Sequence, residues 1–273
     1  MNKVAYDKEA YKEKKKKQLN DAYSMIDKGL TNIKEDNNNF FNIYLDIQSK
    51  FDAYTFRNAI LIALQYPNAT QLKDYKTWKE EGAEFLNYPP KYITVLEPGQ
   101  AYVNRNGNLV TPYNPKQLLD IAETNIQQNF KEYDKKLIFQ ALIKASKCEI
   151  KGVDKLEEVC KWDKKGNVIL VERSEDIDKL ICNLSRELAK CYMQENNIEI
   201  SDNNANCVSY IICNKYNVKY SGKEIKNFHK GKDIAEISKE LENTKSTVSY
   251  MMKDIKNYLY QKTKDSKSKS LER

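Results

Sequence analysis

The chain has 273 residues, with 46 Lys and Arg against 39 Asp and Glu, a net charge of +7, and only 8 Gly and 6 Pro. That length suggests roughly two domains, the 40% hydrophobic content suffices for real cores, and the scarcity of Gly and Pro argues for a helix-rich chain. No apolar run approaches the ~20 residues of a membrane span, and six cysteines at or after Cys148, none in C-x-x-C, do not make a small disulfide framework.

The N-terminus lacks the apolar core of a signal peptide. A soluble cytoplasmic protein with reduced, mostly buried thiols is therefore expected. The positive charge is concentrated at the ends: residues 1–20 hold seven Lys against three acids, and residues 251–273 hold seven Lys and Arg against three, leaving −1 for the body between. Such tails bind nucleic acid by counterion release or are simply solvated termini.

In chain order, residues 1–20 read as a charged arm. From Asp21 to Gln65 the pattern is helical, with Tyr23, Ile26, Leu30 and Ile33 at helical spacing. Asn37 to Asn39 mark a break, residues 51–65 read as a further helix, and Pro67 stops it. Residues 75–85 suggest a short helix and a turn. Lys91 to Pro98 alternate as a strand, and Asn106-Gly107 between two β-prone runs signals a hairpin. The stretch Asn114 to Asn125 carries no assignment. After Tyr133 come a helix, "KKLIFQALIKAS", and a second hairpin about Lys164 to Asn167. Four helices are then predicted: Ser174–Glu195, with Ser174 as N-cap, Asp202–Tyr216, Lys232–Leu241 and Ser246–Tyr260. The last two, separated by "ENTK", have the outline of a helix-turn-helix. The two halves divide near residue 130.

Several chemistries have no motif here. No phosphate-binding glycine loop and no G-x-S-x-G occurs. His229 is the single histidine and sits in "NFHKGK", with no catalytic motif around it, so a structural role is expected. The stretch "LICNLSRELAKCYMQ", Leu180 to Gln194, is more informative. A zinc-protease helix places two histidines at i and i+4 with a Glu after the first. Here Arg186 and Lys190 occupy those two places and Glu187 the third. Arg stays protonated and Lys must lose its proton to ligate, so neither suits a metal. Ile181, Leu184 and Leu188 also form the stripe of an ordinary amphipathic helix. Arg186 or Lys190 would supply a positive charge and pair with Glu187, and the two repel each other unless an anion lies between them. The helix then presents either a solvated charged face, the favoured reading, or an anion site for phosphate. Cys182 and Cys191, nine residues apart, point to opposite faces and do not form a metal pair.

The order of hairpin, this helix and the following "DNNANCVSYIICNKYNV" resembles the C-terminal metallopeptidase-like domain of the plasmid antirestriction ArdC family. The resemblance implies a third, acidic ligand just before Ala205, where this chain has Asn204. All three implied ligand positions (Arg186, Lys190, Asn204) are thus changed, and only the general-base position, Glu187, matches. The resemblance implies a zincin-like fold without zinc.

The first half is similar to the same family's N-terminal domain, over residues 40–125. Phe51, Tyr54, Asn58, Leu61, Ile62, Gln65, Pro67, Ala69, Thr70, Trp78, Gly82 and Pro98 fall in the family's pattern, and "LLDIAETN" from Leu118 resembles its "VFDISQT". The family's basic, glycine-containing loop before the strand is here "LNYPPKYI", leaving Lys91 as the candidate for a phosphate contact. The resemblance implies single-stranded DNA binding. On a helix through residues 51–65, Phe51, Tyr54, Asn58, Leu61, Ile62 and Gln65 share one face. The opposite face is also apolar, so the helix is buried. Arg57, Asn58 and Gln65 then need partners: nearby backbone, or a bound strand. Tyr54, Trp78 or Tyr92 would stack on bases, although Trp78 equally suits a core.

Together these readings give a mostly helical α+β protein of two domains, each with a small sheet or hairpin packed on helices. The expected divisions are a basic arm (1–20), a single-stranded DNA-binding domain (21–130), a degenerate zincin-like domain (131–262) and a tail (263–273). Neither a cofactor nor a metal is expected, and no catalytic residue. The expected function is non-catalytic single-strand binding in a mobile genetic element. The rivals are an unrecognised hydrolase, a protein-interaction scaffold on the zincin-like domain, and an initiator that binds a duplex origin.

Overall fold

The computed structural model describes residues 8–129, 132–174 and 176–271. The fold is α+β and mostly helical, as expected, with eight α-helices and eight short strands among the described residues. It divides into two compact units. One takes residues up to Ile47 with Arg57–Gln128; the other takes Gln48–Phe56 with Asn129 onward.

In the first unit, α1 spans Lys8–Glu35. From Lys8 the lysine-rich stretch is the opening of this long helix. Its buried stripe is Ala22, Ile26, Leu30 and Ile33, while Tyr23 faces out. The left-handed backbone of Asp36 and Asn39 (φ 58° and 56°) breaks the helix at the asparagine run, because Asn and Asp tolerate that region best after Gly. Two further helices follow, α2 (Phe40–Lys50) and α3 (Phe56–Gln65). The predicted helix through residues 51–65 starts only at Phe56, so Phe51 and Tyr54 lie in the preceding turn and share no face with Asn58.

Beyond α3 come β1 (Leu72–Lys73), α4 (Tyr75–Glu80), β2 (Ile93–Pro98), a small hairpin of β3 (Tyr102–Val103) and β4 (Leu109–Val110), and β5 (Tyr113–Asp120). The sheet order is β1-β5-β2, all antiparallel. Its centre is β5, the stretch without a sequence assignment. Proline in a central strand is unusual because it has no N–H to pair. Pro115 lies opposite Leu96, and its carbonyl accepts from Lys15 Nζ of α1 at 3.0 Å. Its backbone polar groups thus face the side that β1, paired only at Leu119 and Asp120, does not reach.

The second unit contains α5 (Lys135–Ala145), the strands β6 (Glu149–Val153), β7 (Cys160–Asp163) and β8 (Val168–Glu172), and the helices α6 (Ile177–Glu195), α7 (Asp202–Lys215) and α8 (Ile234–Leu271). Strand order is β6-β8-β7. The β7–β8 hairpin is antiparallel as predicted; β6, unforeseen, adds parallel to β8. The N-cap of α6 is Asp176, whose side chain accepts from the Lys179 N–H. Ser174, the expected cap, instead accepts from the Asp176 N–H. The two last predicted helices are one continuous helix. "ENTK" has no Gly or Pro, and Thr247 bonds back to the Asn243 carbonyl, so no turn forms and the helix-turn-helix is ruled out. Helix α6 is buried on most sides and packs on α5, α7, α8 and β7. Segment 48–56 belongs to this unit because Asp52, 8% exposed, bridges Lys215 of α7 at 2.7 Å and Lys256 of α8. Burial opposes its charge, but the two ammonium groups win and hold its pKa below the usual carboxylate range.

Candidate functional site

Two constellations carry the candidate residues. The first is on α6. Arg186 and Glu187 are buried at 7% and 3% exposure, and Asn204, at the start of α7, at 2%. Arg186 Nε donates to Glu187 Oε1 at 2.8 Å, and its Nη2 to Glu158 Oε2 at 2.5 Å. Lys190 Nζ approaches the same Glu187 Oε1 at 3.2 Å and pairs with Asp202 Oδ1 at 2.7 Å. Glu187 Oε2 accepts the backbone N–H of Trp162, on β7, at 3.1 Å. The expected solvated face is thus overturned. The anion between Arg186 and Lys190 is the chain's own Glu187, which also removes the phosphate-site reading.

The cluster is electrostatically self-consistent. Burial works against the Arg186 guanidinium, yet Glu187 and Glu158 raise its pKa further. The bond from Arg186 lowers Glu158, and the bond from Lys190 lowers Asp202. Burial, reinforced by Glu187, pushes the Cys160 thiol up to about 12. The Asn204 backbone N–H donates to its helix cap, Ser201 Oγ, at 3.3 Å, while Asn204 Oδ1 is buried without a hydrogen bond. Sequence reasoning missed how Glu158 and Asp202 complete the cluster. Asp202 was detectable as an acid in the first turn of a helix; Glu158 lies in a connection with no periodicity.

The residues that stand at the implied metal-ligand positions do not fit a metal. A guanidinium cannot ligate, Lys190 is already paired, and no group of three or more His, Cys, Asp or Glu suited to a metal exists among the described residues. His229 is also structural in its setting. It is 1% exposed, its Nδ1 lies 2.8 Å from Glu240 Oε2, and burial lowers its pKa to about 4.

The second constellation builds the first unit's sheet. Asn58 Oδ1 accepts the Leu96 N–H at 2.8 Å and Asn58 Nδ2 donates to the Leu96 carbonyl at 2.9 Å. Gln65 does the same for Thr94, at 2.9 and 2.8 Å. The two amides, seven residues apart, sit two helical turns apart. They pair with alternate residues of β2 on the side away from β5. Trp78 is fully buried, donates Nε1–H to the Leu119 carbonyl at 2.9 Å and packs with Ala83, Leu119 and Ile121. Of the two roles open to Asn58, Gln65 and Trp78, a bound strand or the fold, these contacts are the fold-building one: their polar atoms are spent on backbone, and Trp78 has no face for a base. Tyr54 is half-buried beside Phe51 in the other unit. Arg57, Lys91 and Tyr92 are exposed. Lys91 Nζ lies 4.8 Å over the Tyr66 ring. Tyr88, which sequence reasoning did not single out, is 99% exposed.

No family model matches the chain, and no curated protein matches it. Solved structures do. The Mn(II)-bound crystal structure of the antirestriction protein ArdC from plasmid R388 superposes with a TM-score of 0.50 at 11% identity, over 79% of this chain and 97% of that one. The fold is that of ArdC. This agreement extends across most of both chains, so it embraces more than one sheet or one helix pair. The metal-free crystal structure of the same protein matches over 80% of this chain and 98% of that one, with a TM-score of 0.48 and 11% identity. In this chain the cluster of Arg186, Glu187 and Lys190 is closed by ion pairs.

Proposed function

We propose that the chain is a non-catalytic single-stranded DNA-binding protein of a mobile genetic element, acting in DNA transfer, antirestriction or replication. The observation that carries this reading is the segment leading into β2. Tyr88, Lys91 and Tyr92 are exposed together on a short stretch of a unit in which Asn58, Gln65 and Trp78 are consumed by the fold. An exposed aromatic offers a stacking face worth about 1–3 kcal/mol per base without sequence preference. A neighbouring ammonium holds a phosphate. Lys12, Lys14, Lys16 and Lys17 of α1 are also exposed and add salt-dependent affinity. The plasmid origin and antirestriction role of ArdC support the setting.

Three groups already bond Glu187, which supports the non-catalytic part: a general base needs a free lone pair toward water. The continuity of α8 removes the element on which a duplex-origin reading rested. The test is fluorescence anisotropy of a labelled single strand of ~30 nucleotides against the matching duplex, across a salt series. The single strand binds more tightly, and Lys91→Ala/Tyr92→Ala together weaken it about tenfold or more. Equal affinity for the duplex, or unchanged binding by the double variant, overturns the reading.

A further inference from the structure

Among the six thiols two pairs are in contact, Cys182 with Cys213 and Cys148 with Cys191. Cys148 Sγ and Cys191 Sγ are 2.8 Å apart, about 0.8 Å longer than a disulfide bond. Cys148 sits just before β6 and Cys191 in the last turns of α6, 43 positions apart. The approach is fixed by neighbours on both sides. Tyr192 O–H donates to the Ala145 carbonyl at 2.7 Å, tying the residue after Cys191 to the end of α5. The Cys148 thiol also reaches Asn167 Oδ1 at 3.1 Å, tying it to the β7–β8 turn. The two sulfurs are thus held close to bonding distance by contacts on both sides.

We propose that Cys148 and Cys191 form an intramolecular disulfide when the protein meets a low-molecular-weight disulfide oxidant. Cys148, at 8% exposure the more open of the two, is the entry point; Cys191 is 4% exposed. The Cys148 sulfur, giving up its proton, attacks one sulfur of glutathione disulfide. The oxidant's S–S bond breaks, one glutathione leaves carrying that proton, and a mixed disulfide remains. The Cys191 sulfur then attacks the Cys148 sulfur, and its proton goes to the second departing glutathione thiolate. In total the protein dithiol loses two electrons and two protons, and one glutathione disulfide becomes two glutathione thiols. Burial and the adjacent Cys148 sulfur raise the pKa of Cys191, so the second step is slow and the switch operates over minutes to hours.

The bond would bridge the sheet side of the unit to α6 one residue after Lys190. It closes a loop that contains all three strands of this sheet and the whole ion cluster except Asp202. Oxidation would therefore lock the unit against unfolding.

The test uses the full chain. It is incubated with oxidised glutathione, alkylated under denaturing conditions, and measured by intact mass and peptide mapping. The expected product has four alkylated cysteines instead of six, no added glutathione, a Cys148–Cys191 cross-linked peptide, and a melting temperature raised by several degrees. The Cys148→Ser and Cys191→Ser variants form no such intramolecular link. Six alkylated thiols, a stable glutathione adduct, or a link between other cysteines such as Cys182 and Cys213 overturns the proposal. Because the mapping is done on the unsubstituted protein, its outcome stands even where a variant folds poorly.

Discussion

At the scale of single residues, charges that sequence reasoning placed on a surface are held inside. Arg186 is the clearest case. Its side chain is 8% exposed and shared between Glu187 and Glu158. Replacing it with Ala leaves Glu187 buried with only Lys190 for a cationic partner, and removing one member of such a group typically costs about 3–5 kcal/mol. Urea unfolding of Arg186→Ala is expected to show a loss of about that size with an unchanged m-value. His229 gives a pH signature. Its pKa falls from 6.5 to about 4 on folding, so the unfolded chain binds the proton first. Its contribution is complete above pH 6.5 and is lost as the pH falls toward 4, at up to about 1.4 kcal/mol per unit. Glu240 and Lys232 are the charges facing it. Stability measured from about pH 7 to about 4.5 is expected to fall, and to fall less in His229→Gln. The carboxylates of lowered pKa, Asp52, Glu158 and Asp202, act in a lower window. Their stabilisation is present above the ordinary carboxylate pKa and disappears as pH drops through their depressed values. Trp78 shows why a residue's role is hard to assign from sequence. Its indole suits a base stack or a core equally, and its hydrogen-bond partner Leu119 lies 41 positions away.

At the scale of elements, local signals are legible where they are self-contained. The Asn-Gly and Lys164–Asn167 hairpins, the stop before Pro67 and the helices α5, α6 and α7 follow from turn chemistry and periodicity in their own residues. Elements defined by distant partners are not legible. Strand β5 contains a proline and is recognisable only through β2 and α1. Strand β6 lies mostly exposed along its length, so it shows no buried alternation to detect. The polar "ENTK" suggests a division of α8, yet Thr244 and Thr247 at that place are buried. The side-chain ladder on β2 makes an element-scale prediction. Asn58→Ala removes both bonds to Leu96 and leaves its N–H and carbonyl without those partners. An expected loss of about 2–3 kcal/mol in thermal or urea unfolding follows, and Asn58→Leu does not restore it.

At the scale of the whole molecule, the sequence resemblance and the structural superposition agree on the fold at 11% identity, for a physical reason. Most of the motif residues that carry the resemblance are those that assemble the first unit. Asn58 and Gln65 hold β2, Trp78 fills the core, and Asp120 of "LLDIAETN" accepts the Thr70, Gln71 and Ala122 N–H groups. The motif thus reports architecture more directly than DNA contacts. The second unit makes the complementary case. The residues at the ligand positions that the resemblance implies are visible in the sequence at once, but the closure of Arg186 and Lys190 by Glu158 and Asp202 is not, because it depends on two other segments. With ion pairs contributed by the chain itself at those positions, its folding is expected to be independent of metal supply. Melting curves with excess EDTA, and with added Mn(II) or Zn(II), are expected to coincide; a stabilising shift of several degrees with either ion would contradict that.

The two amides on β2 also bear on how this protein keeps company with itself. An outer strand with unmet pairing groups is a template on which a second chain can grow, and proteins generally guard such borders with charge, proline or distortion. Here the border is guarded by Asn58 and Gln65, whose amides imitate a neighbouring strand at alternate positions without offering a further one. Losing both would convert a finished margin into an open one. The Asn58→Ala/Gln65→Ala protein is expected to self-associate on concentration, detectable by light scattering, before its helices melt.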